Sequence, residues 1–242
     1  MMYRNYNICG LNVQCDLRHS TMLQRSEKYL CDDAGGAPDM VIPYPEEQIK
    51  SLCRREAHIT ADDAENMLTA EFFYKELLKF DGFMLHSSAV VVDGRAYLFS
   101  APSGTGKSTH TSIWLKAFGE RAYILNDDKP ALRFFESGEV IAYGTPWSGK
   151  SDLNVNVGVP VQGICVLERA QETFIVPMSD GDAAFSILNQ TIRPMEESAM
   201  LQLLDYVDRL VSSVPVWRMG CNISVEAAHT AYNAMSKSSV SE

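Results

Sequence analysis

Ala101-Pro102-Ser103-Gly104-Thr105-Gly106-Lys107-Ser108-Thr109 lies between the apolar run Tyr97-Leu98-Phe99 and a segment at 109–118 with helical character. Strand, glycine-containing turn and helix in that order are the setting of a phosphate-binding loop. Glycine lets the backbone curl so that successive N–H groups point inward at one anion. The helix N-terminus adds partial positive charge. Lys107 then reaches the outer phosphates, and the Ser108 hydroxyl binds Mg2+. The candidate nucleotide-binding set is Ser103, Gly104, Thr105, Gly106, Lys107, Ser108 and Thr109. Ala101 stands where such loops usually begin with glycine.

On either side of the loop the pattern stays that of an α/β sheet. Residues 88–92 and 95–100 flank Asp93-Gly94, a strong hairpin signal. Ala122-Tyr123-Ile124-Leu125 reads as a buried strand ending in Asn126-Asp127-Asp128. Asp127 follows Lys107 by 20 positions, room for a helix, a turn and one strand. The acidic pair therefore belongs at the C-terminal edge of the sheet, where ligand sites of α/β folds gather. One carboxylate can hold Mg2+ and the other can take a proton from an attacking hydroxyl. Neighbours on a strand point to opposite faces, so both serve one site only if a turn begins there, and Lys129-Pro130 fits such a turn. His86, in Leu85-His86-Ser87-Ser88, stands before the hairpin and can approach the pair.

The remaining pattern divides the chain into an N-terminal α/β lobe at 1–80, a nucleotide-binding core at 81–235 and a polar tail at 236–242 expected to fray. In the lobe, residues 6–17 alternate as a strand, 31–39 are a loop by composition, 40–42 are a short strand and 65–80 a helix. In the core, 131–135 and 139–143 form a hairpin about Ser137-Gly138, and 162–167 and 173–178 are further strands. Ser179 caps a helix at 182–190. Residues 196–212 carry one apolar stripe of Met200, Leu203, Leu204, Val207, Leu210 and Val211. A strand at 214–219 and a helix at 225–235 complete the pattern.

The chain has 242 residues, 46% of them hydrophobic, and a net charge of −10. That acidity excludes a broad nucleic-acid surface. No apolar run is long enough to span a membrane, and residues 1–7 lack the apolar core of a signal peptide, so a cytoplasmic protein without membrane partners is expected. The six cysteines include no Cys-x-x-Cys pair, and neither a disulfide framework nor a zinc site is expected.

Leu85-His86-Ser87-Ser88-Ala89-Val90-Val91-Val92-Asp93-Gly94, the loop, and Leu125-Asn126-Asp127-Asp128 together resemble the catalytic domain of HPr kinase/phosphorylase. They look more like the truncated bacterial HPr-kinase-like proteins that lack that enzyme's own N-terminal domain. ATP-dependent phosphoenolpyruvate carboxykinase is distantly similar. The resemblance runs over about residues 82–194. It implies a P-loop core with a mixed sheet, and transfer of the γ-phosphoryl group of ATP, with Mg2+, to a serine-type hydroxyl. By resemblance Asp127 is the base, His86 lies beside it at the reacting centre, and Asp128 is the carboxylate near the metal. Thr191-Ile192-Arg193-Pro194 resembles a late segment of that family, which implies that Arg193 offsets charge on the transferring group; an exposed arginine at a helix start is the alternative. The family's metal-side Glu has no counterpart in Tyr143-Gly144-Thr145-Pro146-Trp147-Ser148-Gly149-Lys150-Ser151-Asp152. There Trp147, Ser148 and Lys150 are substrate candidates, or the stretch is a structural loop around a core tryptophan. The acceptor stays open between a protein, a peptide and a small-molecule hydroxyl. A carboxykinase-like enzyme and a nucleotide-binding regulatory module are the other readings. The related enzyme's hexamers imply a homo-oligomer.

Overall fold

A hairpin opens the chain, because Cys9 and Gly10 both adopt positive φ, 58° and 75°, the geometry of a two-residue turn. It joins β1 (Arg4–Ile8) to β2 (Leu11–Cys15). After α1 (Ser20–Ser26), β3 (Met40–Ile42) adds parallel to β2, then come α2 (Glu46–Arg55) and α3 (Ala61–Leu77). The structure, a computed structural model, describes residues 3–31 and 36–237. Of the loop expected at 31–39, positions 32–35 lie outside the described residues, and so do positions 238–242 of the expected tail. Helix α3 begins four residues before the spacing predicts. Its start is fixed by a capping box: the Thr60 hydroxyl accepts from the Asp63 N–H and the Asp63 carboxylate from the Thr60 N–H, each at 3.1 Å. Tyr6, Met22, Tyr29, Phe73 and Leu77 form the apolar centre of the lobe, and Met84, Ala131 and Trp147 pack into it from the segments that follow.

Those segments are β4 (Gly82–Met84), β5 (Ser87–Val92), β6 (Arg95–Ser100), α4 (Lys107–Phe118), β7 (Ala122–Asp128), β8 (Ala131–Phe134), β9 (Val140–Tyr143), β10 (Gly158–Arg169), β11 (Phe174–Pro177), α5 (Asp180–Leu188), α6 (Glu197–Ser213), β12 (Val216–Cys221) and α7 (Val225–Met235). The chain is thus α/β, with a second, mixed sheet ordered β4-β8-β9-β10-β6-β5-β7; β12 also pairs with β10, and β11 with β12. Strand β10 is long enough to pair antiparallel with β9 and then parallel with β6 and β12. Alternation sends Ala89, Val91, Ala96 and Leu98 to the face covered by α5 and α6. Val90, Val92, Tyr97 and Phe99 go to the face covered by α4 and α7, where Trp114 is the central ring. Burial on both faces is why β5 reads as an unbroken apolar run.

One edge of this sheet gathers the candidate site residues. Ser87 pairs with both Ser100 and Asp128, so the end of β6 and the end of β7 flank the start of β5. Val166 of β10 pairs with Ser100, and Arg169 with Cys221 of β12, so these strands end on the same side. Among the described residues no helix is long and apolar enough to cross a membrane.

Candidate functional site

The loop between β6 and α4 takes its shape from two glycines. Gly104 and Gly106 have φ of 79° and 119°, conformations that an L side chain rarely adopts. Helix α4 starts at Lys107 immediately afterwards, so its first N–H groups close the loop. Lys107 is only 8% exposed and its Nζ donates to the Ala101 carbonyl at 2.8 Å. Burial lowers its pKa, while the nearby carboxylates of Asp128 and Asp127 act in the opposite direction. Ser103, Gly104, Ser108 and Thr109 are exposed, and Thr105 and Gly106 half-buried. Arg169, at the end of β10, donates to the carbonyls of Gly104 (2.6 Å) and Thr105 (3.4 Å) and so braces the loop from outside. No local motif marks it; only the pairing of β10 with β6 brings it there.

Asp127 and Asp128 are the last two residues of β7, and the chain leaves that strand through Asp128 with φ of 141°. The turn beyond is pinned by hydrogen bonds. The Asn126 side chain accepts from the Lys129 N–H at 2.8 Å and donates to Thr145, while Tyr74 and Thr145 both donate to the Lys129 carbonyl. Expectation had His86 beside Asp127; it meets Asp128 instead, Nε2 to Oδ1 at 3.1 Å. A carboxylate only accepts, so Nε2 is the donor in that contact, and Nδ1 lies 2.9 Å from the Gln190 side-chain oxygen Oε1. Lys129 takes the other Asp128 oxygen. Burial works to raise the Asp128 pKa, but the His86 hydrogen bond and the Lys129 charge outweigh it and hold the carboxyl at about 2.

Asp127 is 6% exposed. Its Oδ2 accepts from the Ser151 hydroxyl at 2.7 Å, and its backbone carbonyl from the Gly149 N–H at 2.7 Å. Its Oδ1 takes no hydrogen bond from the described residues and is not sealed from solvent. The two carboxylates therefore differ: both oxygens of Asp128 are engaged, and one oxygen of Asp127 is open.

The segment around 145–156 is held by side chains of α1 and of the residues that follow it. Arg25 of α1 donates to the carbonyls of Ser148 (2.7 Å) and Gly149 (3.0 Å) and approaches the Asp152 carboxylate at 3.4 Å. Tyr29 donates to the Asn154 side chain at 2.7 Å, and Lys28 to its carbonyl at 3.0 Å. Position 149 must be glycine, because a Cβ there would lie 2.8 Å from the Asp127 carbonyl oxygen. Two substrate candidates are corrected here. Trp147 is 1% exposed, stacks on Phe73 with centroids 4.6 Å apart and donates to Thr69, so its ring is part of the core. Ser148 is buried, with its hydroxyl donating to Asp152 and accepting from Asn154. Lys150 and Arg193 are exposed and make no hydrogen bond or ion pair among the described residues. Gln190, Ser151, Arg25 and Arg169 are the site residues that the sequence reading passed over.

Among the described residues, no group of three or more His, Cys, Asp or Glu side chains is arranged to hold a metal. Mg2+ bound with a nucleotide needs only one or two protein oxygens beside phosphate and water. An ionised Asp128 and the exposed Ser108 hydroxyl at the head of α4 are oxygen donors of that kind.

The family model described as "SynChlorMet cassette protein ScmC" matches residues 61–227. No curated protein matches the chain. Among solved structures, the Hpr(Ser) kinase/phosphatase from Coxiella burnetii is similar at 13% identity and a TM-score of 0.36, covering 62% of this chain and 95% of that one. The chain belongs to the ScmC family.

Proposed function

We propose that this member of the ScmC family is an ATP- and Mg2+-dependent phosphotransferase that moves the γ-phosphoryl group to a serine-type hydroxyl of a protein or peptide. The observation that carries this reading is the division of labour in the acidic pair beside a glycine loop: each Asp128 oxygen has a cationic or ring N–H partner, Lys129 or His86, and Asp127 keeps Oδ1 free. The backbone N–H groups of Gly104–Lys107 bind the phosphates. Asp127 Oδ1 takes the acceptor's hydroxyl proton as that oxygen bonds to the γ-phosphorus. The bond from phosphorus to the β–γ bridging oxygen breaks, and its electron pair leaves with the diphosphate. Lys107 offsets charge spreading over the phosphoryl oxygens, and His86 keeps Asp128 fixed and ionised. Asp128, through the lone pairs that His86 and Lys129 leave, and the Ser108 hydroxyl would hold Mg2+, which would supply further charge neutralisation on the phosphates. Rate comes from positioning and electrostatics.

The test compares Asp127→Asn with Asp128→Asn. Asp127→Asn keeps an acceptor for Ser151 and loses the base, so nucleotide affinity holds while transfer falls about 10²- to 10⁴-fold. Transfer at the wild-type rate removes Asp127 from the role. A second reading, a small anionic acceptor, is favoured by the unpaired cations Lys150 and Arg193. It is tested by offering free hydroxy acids beside serine peptides.

A further inference from the structure

The strand order gives a bound triphosphate a direction. Strand β6, which leads into the loop, has β5 and β7 on one side and β10, then β12, on the other. Asp127, Asp128 and His86 all belong to the β5/β7 side. A triphosphate whose terminal phosphorus meets Asp127 runs its other end toward β10 and β12.

On that side a cavity of about 580 Å3 opens from the loop itself, sharing Gly104, Thr105 and Gly106 with it. Its volume is in the range of small-molecule sites. Ile113 of α4, Leu167 of β10 and Ile223, just beyond β12, give it apolar walls; Arg169 and Asn222 are polar groups in its lining. Ile113 and Leu167 are buried, whereas Ile223 is 79% exposed, an apolar side chain standing in solvent at the mouth of an apolar cavity. His110 also lines it, with its Nε2 accepting from the Trp114 indole N–H at 3.1 Å and its Nδ1 facing the Cys221 sulfur at 3.8 Å. Burial holds the His110 pKa down at about 4, so this wall is uncharged at neutral pH. Glu168 and Arg169 stand together in the lining with opposite charges, and the remaining wall is largely apolar, which suits a flat heterocycle and not another anion.

We propose that this cavity takes the nucleoside of the bound triphosphate, the base against Ile223, Ile113 and Leu167, with Asn222 and Arg169 as the polar groups beside the ribose. The direction of the ligand rests on the phosphotransferase reading above.

The test uses the full chain with Mg2+ and measures Kd by calorimetry for two probes, ATP and inorganic tripolyphosphate. Tripolyphosphate occupies the loop without a nucleoside. Ile223→Ser removes the exposed apolar face, adds no charge and disturbs no packed core. The expected result is ATP binding weakened about tenfold, with tripolyphosphate affinity changed by less than about twofold. ATP binding no tighter than tripolyphosphate, or Ile223→Ser without effect on ATP, overturns the nucleoside site and leaves the phosphate loop standing. Lys107→Ala separates the two failures. If it leaves both probes unaffected, the phosphate-loop reading itself is wrong and the nucleoside site falls with it.

Discussion

Arg25→Ala should loosen the segment that holds Asp127. The guanidinium sits on α1 with its side chain 13% exposed and bonds two carbonyls, Ser148 at 2.7 Å and Gly149 at 3.0 Å. A hydrogen bond from a charged donor contributes about 1.5–3 kcal/mol. The third contact, to Asp152, is longer, and Asp152 is 37% exposed, so solvent screening leaves it well under ~1 kcal/mol. Taking the lower figure for each carbonyl bond puts the loss at about 3 kcal/mol. In a chain of this size each kcal/mol moves Tm by about 2–4 °C, so thermal unfolding followed by circular dichroism should shift down by roughly 6–12 °C. Arg25→Lys keeps a charge and one donor and should recover about half of that. The Gly149 N–H and the Ser151 hydroxyl are the groups that position Asp127. Phosphoryl transfer in Arg25→Ala should therefore fall while nucleotide affinity holds. A Tm within about 2 °C of wild type would refute the clamp.

Trp147→Ala, which empties the centre of the lobe's apolar cluster, should cost about 3–5 kcal/mol in urea unfolding; a cost under ~1 kcal/mol would mean that the indole is not core. His110 has a folded pKa of about 4 against 6.5 in the unfolded chain. The unfolded state binds the extra proton, so its contribution is fully present above pH 6.5 and is lost as pH falls through 4. Urea unfolding at stepped pH should show that loss in wild type, and His110→Gln should flatten it. Thr60→Ala breaks the capping box of α3 and should cost about 1 kcal/mol, read by the same unfolding measurement.

Local patterns told most about the core. The glycine loop, the Asp93-Gly94 turn and the apolar run of β5 each depend on neighbours in sequence, and each forms where the pattern puts it. Helix α7 matches at both ends, since Ser224 caps it and its apolar spacing is regular. Strand β10 begins earlier than its apolar run, because Gly158–Pro160 pairs with β9, a partner that local propensity does not register. Helix α1 carries no spacing strong enough to mark it, whereas α2 has Ile49, Leu52 and Cys53 at i, i+3 and i+4, a short helical signal that the sequence reading left aside. The site is less legible than the fold because its supports are remote: Arg25 and Ser148 are separated by 123 positions, and His86 and Gln190 by 104. His86 lies beside Asp128 because Ser87, its neighbour, pairs with Asp128 across β5 and β7, a register fixed by the sheet. Trp147 could be read as ligand-facing only while its partners Phe73 and Thr69, on α3, were unknown.

The central claim is that the chain transfers phosphoryl groups to hydroxyls. ATP labelled in its γ-phosphate, incubated with the protein, Mg2+, host lysate and a pool of serine peptides, tests it directly, with Lys107→Ala as the control. Label on a protein or peptide, acid-stable as a phosphoserine ester is and absent with Lys107→Ala, is the expected result. Tight ATP binding with no label on any acceptor, macromolecular or small, would contradict it and leave a nucleotide-binding regulatory module.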